Sequence, residues 1–401
     1  MTANVGEIVQ YPIVRHNDLT VDPWYRDLQQ QGPIRIQLPF GEPAWLATRY
    51  YDVKTVYGDR RFGKELGLTH DVPRMHEMNV NDPDLLVNMD PPRQTRVRRL
   101  ALTAFAAPQI KTMREWVTGV VDENLDDLLE QDSGADFIET VAWTVPLTVL
   151  TSILGVPREE APSFRGWVDE MVGADTEIND RMRAAETMTN YVRGLIAERR
   201  ERETDDLLSV LVHARDDDDQ LTEDELVSLS MTLFLGGFET TAAQLGSTVF
   251  TLMTHRHLWQ ELLDDPTLQP AALEELWRWI PSFRFGSTMV RWANEDVELS
   301  GVAISRGDAI VAEHSVANRD ESVFPHGWEL DFHRVDPQPH LSLAWGVHRC
   351  LGAHLAHLEV EATLDRLLMR FPTLELAIAP EDVRWSESTF LRSAVHLPLT
   401  W

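Results

Sequence analysis

The chain has 401 residues, 43% hydrophobic and 25% charged, enough to bury a sizeable core. Its 36 Lys and Arg stand against 65 Asp and Glu, a net charge of −29, which argues against general attraction to nucleic-acid phosphates or anionic lipid. There is no uninterrupted apolar run of membrane-spanning length, and the start, MTANVGEIVQYPIVRH, lacks the basic-then-apolar layout of a secretory signal. A soluble cytoplasmic protein, with no membrane and no nucleic acid as partner, is expected.

In chain order, PIRIQL at 33–38 and AWLATR at 44–49 read as strands. Asp90 before Pro91 reads as a helix start. The helix that follows carries RQTRVRR, in which Arg93, Arg96 and Arg99 recur every three residues as a stripe while Arg98 points elsewhere. Further helices are expected over REWVTGVVDENLDDLLEQ, AAETMTNYVRGLIAERRER and DDLLSVLVHAR, and the acidic run RDDDDQ at 215–220 reads as a solvated loop. Thr222 and Glu225 form a capping box that opens a near-continuous apolar helix to about His255, long enough that it must cross the middle of the protein. Strand-like runs return between 288 and 312, and a last helix is expected from about Leu351 to Phe371. The pattern is mainly α with a minor β portion, read as a single domain over 1–401.

Four constellations carry chemistry. Cys350, the only cysteine, cannot form an internal disulfide, which leaves metal ligation, covalent catalysis or burial. It stands at the entrance of the last helix, where the dipole favours a thiolate. A zinc site of His348, Cys350, His354 and His357 is an alternative, but its spacing matches no familiar set. GGFETT at 236–241 interrupts the long helix with residues that weaken it, and such local conflict marks function or a helix crossing. Glu239 supplies a titratable group there, and the threonines supply hydroxyls for water or a small diatomic molecule. Glu275 and Arg278 form an i, i+3 pair flanked by apolar residues, and the arginine helix together with Arg291 offers sites for an internal anion or an acidic partner.

In order and spacing, DPPRQTRVRR, GGFETT, EELWR, RWA, ANRD and HLSLAWGVHRCLG resemble the cytochrome P450 haem-thiolate monooxygenases, in particular the soluble bacterial members, over nearly the whole chain. The resemblance implies that Cys350 is the axial ligand of haem b iron, within the motif that ends at Gly352. It implies that Arg98, Arg291 and His348 hydrogen-bond the haem propionates, with Gln94 a neutral contact where a histidine is common. Glu239 and Thr240 match the acid–alcohol pair that steers protons to bound oxygen. Glu275 and Arg278 match the family's structural pair, with Arg334 the candidate to complete it. By position, Thr232, Leu235, Gly236, Ser287, Met289, Phe390 and Leu391 would line a small-molecule substrate. The basic face of residues 93–99, with Arg349, would dock a ferredoxin-type iron–sulfur protein served by an NAD(P)H-dependent reductase.

The haem-binding stretch departs from the family at Leu343 and Ala344, where phenylalanine and glycine are usual, and Phe238 stands where a histidine is common. The expected activity is insertion of one oxygen atom, by hydroxylation or epoxidation, into a bulky natural product. Oxidative coupling or ring closure without oxygen insertion is the alternative within the family, and a non-enzymatic haem or zinc protein is the alternative outside it.

Overall fold

The computed structural model describes residues 8–12, 18–75, 77, 82–131, 134–172, 176–213, 221–284, 290–335, 337–387 and 390–401. The chain divides into two compact units, each assembled from several segments. One comprises Met1–Pro83, Arg256–Cys350 and Thr389–Arg392, and the other Asp84–His255, Leu351–Ser388 and Ser393–Trp401. The acidic run at 215–220 lies outside the described residues.

The first unit is built on a six-stranded mixed sheet. Its order is Val9–Gln10, Ile34–Gln37, Ala44–Ala47, Ala309–Ala312, Val290–Ala293 and Phe62–Gly63. Ala44–Ala47 runs parallel to Ala309–Ala312, which pairs antiparallel with Val290–Ala293 through Val290 opposite Val311. All four residues of Ala309–Ala312 are buried because both faces of the sheet are covered. The period of two sorts them: Ala309 and Val311 join a core with Val290 and Trp292, whereas Ile310 and Ala312 join a core with Tyr57 and Ala293. Val297–Leu299 and Val302–Ile304 form a separate hairpin. Its turn residues Ser300 and Gly301 have φ of 50° and 82°, the left-handed pair that a two-residue turn requires.

The second unit is helical. Its main helices are Arg93–Phe105, Arg114–Leu129, Thr144–Ile153, Ala161–Val172, Ile178–Glu201, Glu223–Gly237, Glu239–Thr254 and Ala353–Arg370. A three-stranded antiparallel sheet of Glu375–Leu376, Pro398–Thr400 and Ala135–Asp136 completes it. The capping box is formed: Thr222 Oγ1 accepts from the Glu225 amide at 3.2 Å and Glu225 Oε2 accepts from the Thr222 amide at 3.1 Å. The span 223–254 is long and apolar enough to cross a membrane, yet 67% of its apolar window is buried inside the protein, as in a core helix.

Three boundaries differ from those read in the sequence. The arginine helix starts at Arg93 with Pro92 as its N-cap residue, so Asp90 contributes its carbonyl, which accepts from the Gln94 amide at 2.9 Å. The central helix is two helices broken at Phe238, whose φ is −116°. The final helix starts at Ala353 rather than Leu351, which leaves Cys350 three residues ahead of its first turn.

Candidate active site

In the first unit, Cys350 lies on an exposed loop that is fixed by its backbone. The Cys350 amide donates to Leu343 O at 2.8 Å and the Ala344 amide to Leu341 O at 3.0 Å. Gly346 has φ of 70°, and a Cβ there would stand 2.6 Å from Tyr57 O, so only glycine fits. Ala344 also adopts a left-handed φ, 57°, which explains why glycine is usual there and leaves this chain with a strained residue beside the thiol. His348 ends the one-turn helix Gly346–His348 of this loop.

Arg291 projects from its strand toward the Tyr57 side of the sheet, 97% shielded from solvent, with its guanidinium 5.6 Å from the Tyr57 ring centre. Glu275 accepts from Arg278 Nε and Nη2 at 2.6 and 2.7 Å, and Arg278 Nη1 donates to Asn318 O and Gly327 O. Arg334 Nε reaches both oxygens of the same carboxylate, at 3.2 and 3.1 Å, so one buried acid gathers two guanidiniums and the turns that they cap. Phe390 is half-buried and stacks edge-on against Phe283 at 5.4 Å. Ser287 and Met289 lie outside the described residues.

In the second unit the two glycines of GGFETT have different reasons. A Cβ on Gly237 would meet Leu150 Cδ2 at 2.8 Å, so Gly237 lets the helix Thr144–Ile153 approach. A Cβ on Gly236 would meet nothing within 4 Å, so that side faces open space. Gly236 shares the open side with Thr232, Leu235 and Thr240, a stripe of incompletely buried residues on a segment otherwise in the core. Thr240 Oγ1 donates to Gly236 O at 2.8 Å, which leaves its lone pairs available to a ligand or water.

Glu239, the first residue of the following helix, is buried, and its pKa is pushed up to about 7 by burial and then by the charge of Asp169. Asp169 is held on its helix by Arg165, which also pairs with Glu139 at 2.7 Å and lies over the Trp143 ring. Trp143 in turn packs on Phe238 at 5.8 Å. Asp169 gives no signal in the sequence, because an acid on an amphipathic helix reads as solvated.

Gln94 is buried and Arg98 half-buried on the arginine helix. Gly352 caps the final helix, and a Cβ there would meet nothing within 4 Å. The stripe of three arginines is corrected by the structure. Arg93 binds Asp84 and Glu225, and Arg96 binds Glu225, so these two are counter-ions to a buried carboxylate rather than a docking face. Burial opposes ionisation of Glu225, but the Thr222 amide and the two guanidiniums hold its carboxyl below the usual range. Arg99 remains exposed. The zinc alternative also fails: among the described residues, Cys350 belongs to no group of three or more ligand atoms close enough to share an ion.

The family model for cytochrome P450 matches residues 171–383. The chain is 39% identical to mycinamicin IV hydroxylase/epoxidase of Micromonospora griseorubida, and 38% identical to nocardicin C N-oxygenase of Nocardia uniformis subsp. tsuyamanensis, each over 98% of both chains. Among solved structures, a variant of the mixed-function P450 MycG in complex with mycinamicin IV superimposes with a TM-score of 0.92 at 38% identity, covering 98% of this chain and 100% of that one. A cytochrome P450 with biaryl coupling reactivity superimposes at 0.93 with 39% identity and the same coverage. The chain belongs to the cytochrome P450 family and is a haem-binding monooxygenase. A lone thiol suits that cofactor, since haem would take one donor from the protein and Cys350 is the one cysteine in the sequence.

Proposed function

We propose that this chain is a natural-product tailoring enzyme that holds haem b through the Cys350 thiolate and places one atom of O2 into a bulky organic substrate by hydroxylation or epoxidation. The observation that carries this reading is the open stripe of Thr232, Leu235, Gly236 and Thr240 beside a carboxyl poised near neutrality. Bound haem supplies oxygen activation, and thiolate ligation favours O–O cleavage. The chain supplies the rest. Arg98, Arg291 and His348, with Gln94 as a neutral donor, hold the propionates by hydrogen bonds that are charge-assisted for the cationic partners. Glu239 exchanges protons with solvent at a pH where both its forms are populated, and the Thr240 hydroxyl positions the water that carries them. Glu275, Arg278 and Arg334 keep the loop network in place.

Thr232, Leu235, Gly236 and Phe390 are assigned to the substrate lining. Their mostly apolar character suits a macrolide, terpenoid or cyclic peptide, and the names of the relatives, which act on mycinamicin IV and nocardicin C, support that class. A cytoplasmic location and electron supply by ferredoxin with an NAD(P)H-dependent reductase complete the proposal, with exposed Arg99 and Arg349 as basic contacts for an acidic partner. Oxidative coupling is the second reading, favoured by the relative with biaryl coupling reactivity.

The test is a spectral binding screen against macrolides, terpenoids and cyclic peptides, followed by turnover with ferredoxin and reductase. A product heavier by one oxygen atom is expected. A product lighter by two hydrogens assigns coupling instead, and absence of both binding and product across the panel overturns the proposal.

A further inference from the structure

The first unit buries a histidine that takes no part in the proposed chemistry. His314 opens the short helix His314–Ala317, just beyond the strand Ala309–Ala312, and is 3% exposed. Burial pushes its pKa down to about 4, so the imidazole is neutral near pH 7. Among the described residues its side chain makes one hydrogen bond, from Nδ1 to the Tyr57 hydroxyl at 3.2 Å. Its ring stands edge-on to Phe283 with centroids 5.7 Å apart, and Phe283 stands edge-on to Phe390 at 5.4 Å. A buried polar ring costs stability that an apolar side chain of similar size would not, and such local conflict marks function.

All of these residues belong to the first unit, and His314 lies between two of its features. On one side is Tyr57, whose hydroxyl donates to Ala312 O at 3.3 Å and whose ring lies 5.6 Å from the Arg291 guanidinium. With its proton on Ala312 O, the Tyr57 hydroxyl accepts from His314 Nδ1–H, and that bond fixes the plane of the imidazole. On the other side, Phe283 and Phe390 stand on a short antiparallel ladder. Phe283 pairs with Leu391, the Arg284 amide donates to Phe390 O at 3.0 Å, and the Arg392 amide donates to Ser282 O at 2.8 Å. The ladder fixes the backbone and leaves the ring torsions to packing. Both phenylalanines are half-buried, and His314 is the buried ring on which Phe283 rests.

We propose that His314 is a positioning residue for substrate selection: anchored on Tyr57, it holds the Phe283 ring, and through it the Phe390 ring, at a fixed angle, so that the pair presents a rigid aromatic wall to bulky substrates. Edge-on aromatic contacts are directional, so the pair keeps its angle only while the ring beneath keeps its own. A wall set in advance binds a bulky, rigid molecule without the cost of ordering its side chains. Neither apolar alternative does the same. Leucine offers no flat edge to Phe283, and phenylalanine has no hydrogen bond to stop its ring turning. The inference rests on the reading of Phe390 as substrate lining.

The experiment uses the haem-loaded protein and two azole probes followed by spectral titration, small imidazole and bulky clotrimazole. His314→Leu and Tyr57→Phe should each weaken clotrimazole about three-fold or more while imidazole binds as in wild type. The double variant should match His314→Leu, because both changes break one anchor. Additive losses, or clotrimazole binding unchanged in His314→Leu, overturn the proposal. Tyr57→Phe removes one hydroxyl and is the milder variant should His314→Leu prevent folding; unchanged clotrimazole binding there is equally fatal to the anchor. A crystal structure of the His314→Leu or Tyr57→Phe protein should show the Phe283 ring turned from its wild-type angle, and an unmoved ring overturns the positioning role. Phe390→Ala separates the two claims: unaltered clotrimazole binding in that variant removes Phe390 from the lining, whereas the crystallographic arm still decides what His314 holds.

Discussion

Glu239 gives the most direct prediction at the residue scale. Its carboxyl titrates near 4.5 in the unfolded chain and about 7 in the folded one. A raised carboxyl contributes stability fully at pH below 4.5 and loses it as pH rises through 7, because the unfolded state ionises first. Glu239→Gln should therefore flatten the pH dependence of Tm between about pH 5 and pH 7, and an unchanged slope contradicts the assignment. Asp169→Asn removes the second cause of the shift, so the pH at which electron coupling falls should move downwards; no movement would separate Asp169 from the site.

Ala344 makes a different test. Replacing a buried helical alanine such as Ala362 with glycine should cost about 1 kcal/mol. Ala344→Gly should cost less or stabilise, because glycine adopts φ of 57° without penalty. Equal losses in thermal unfolding of the two variants would mean that Ala344 is not strained. The sequence marked Ala344 as a departure, but the reason, a left-handed backbone, became visible only in the loop.

At the scale of elements, the break in the central helix divides the labour of two adjacent glycines. Gly237→Ala forces a methyl to 2.8 Å from Leu150 Cδ2 and should destabilise by about 1–3 kcal/mol, with substrate binding unaffected in the folded fraction. Gly236→Ala meets open space, so stability should hold while substrate affinity changes. Urea melts and substrate titrations of both variants check this, and the reverse pattern would exchange the roles. The motif GGFETT was legible as a conflict with helix propensity, but both explanations, ligand access and a helix crossing, were needed, one for each glycine. The arginine helix was only half legible: its spacing revealed a stripe, but the partner that neutralises Arg93 and Arg96, Glu225, lies about 130 residues away in sequence. Glu225 was visible only as half of a capping box.

At the scale of the whole molecule, the mainly helical class, the strands and the order of motifs were readable because hydrophobic period and capping chemistry are local. The sorting of Arg291 to the Tyr57 face follows from the strand period once the pairing with Ala309–Ala312 is fixed. Long-range pairing was less accessible: Glu275 was expected to meet Arg334, while the carbonyls of Asn318, Gly327 and Glu329 around Arg278 belong to turns whose shape no local pattern dictates. The burial of Glu359, 1% exposed on the helix Ala353–Arg370, is invisible in the sequence for the same reason, since an acid in a helix reads as solvated until the helix is packed.

The central claim, that one loop cysteine makes this protein a haem-thiolate enzyme, is tested by the carbon monoxide difference spectrum of the reduced protein. Wild type should give the Soret band at the wavelength that names the family, and Cys350→Ala should lose it while Arg98, Arg291 and His348 remain in place. A wild-type protein without that band, or a Cys350→Ala protein that keeps it, would contradict the account.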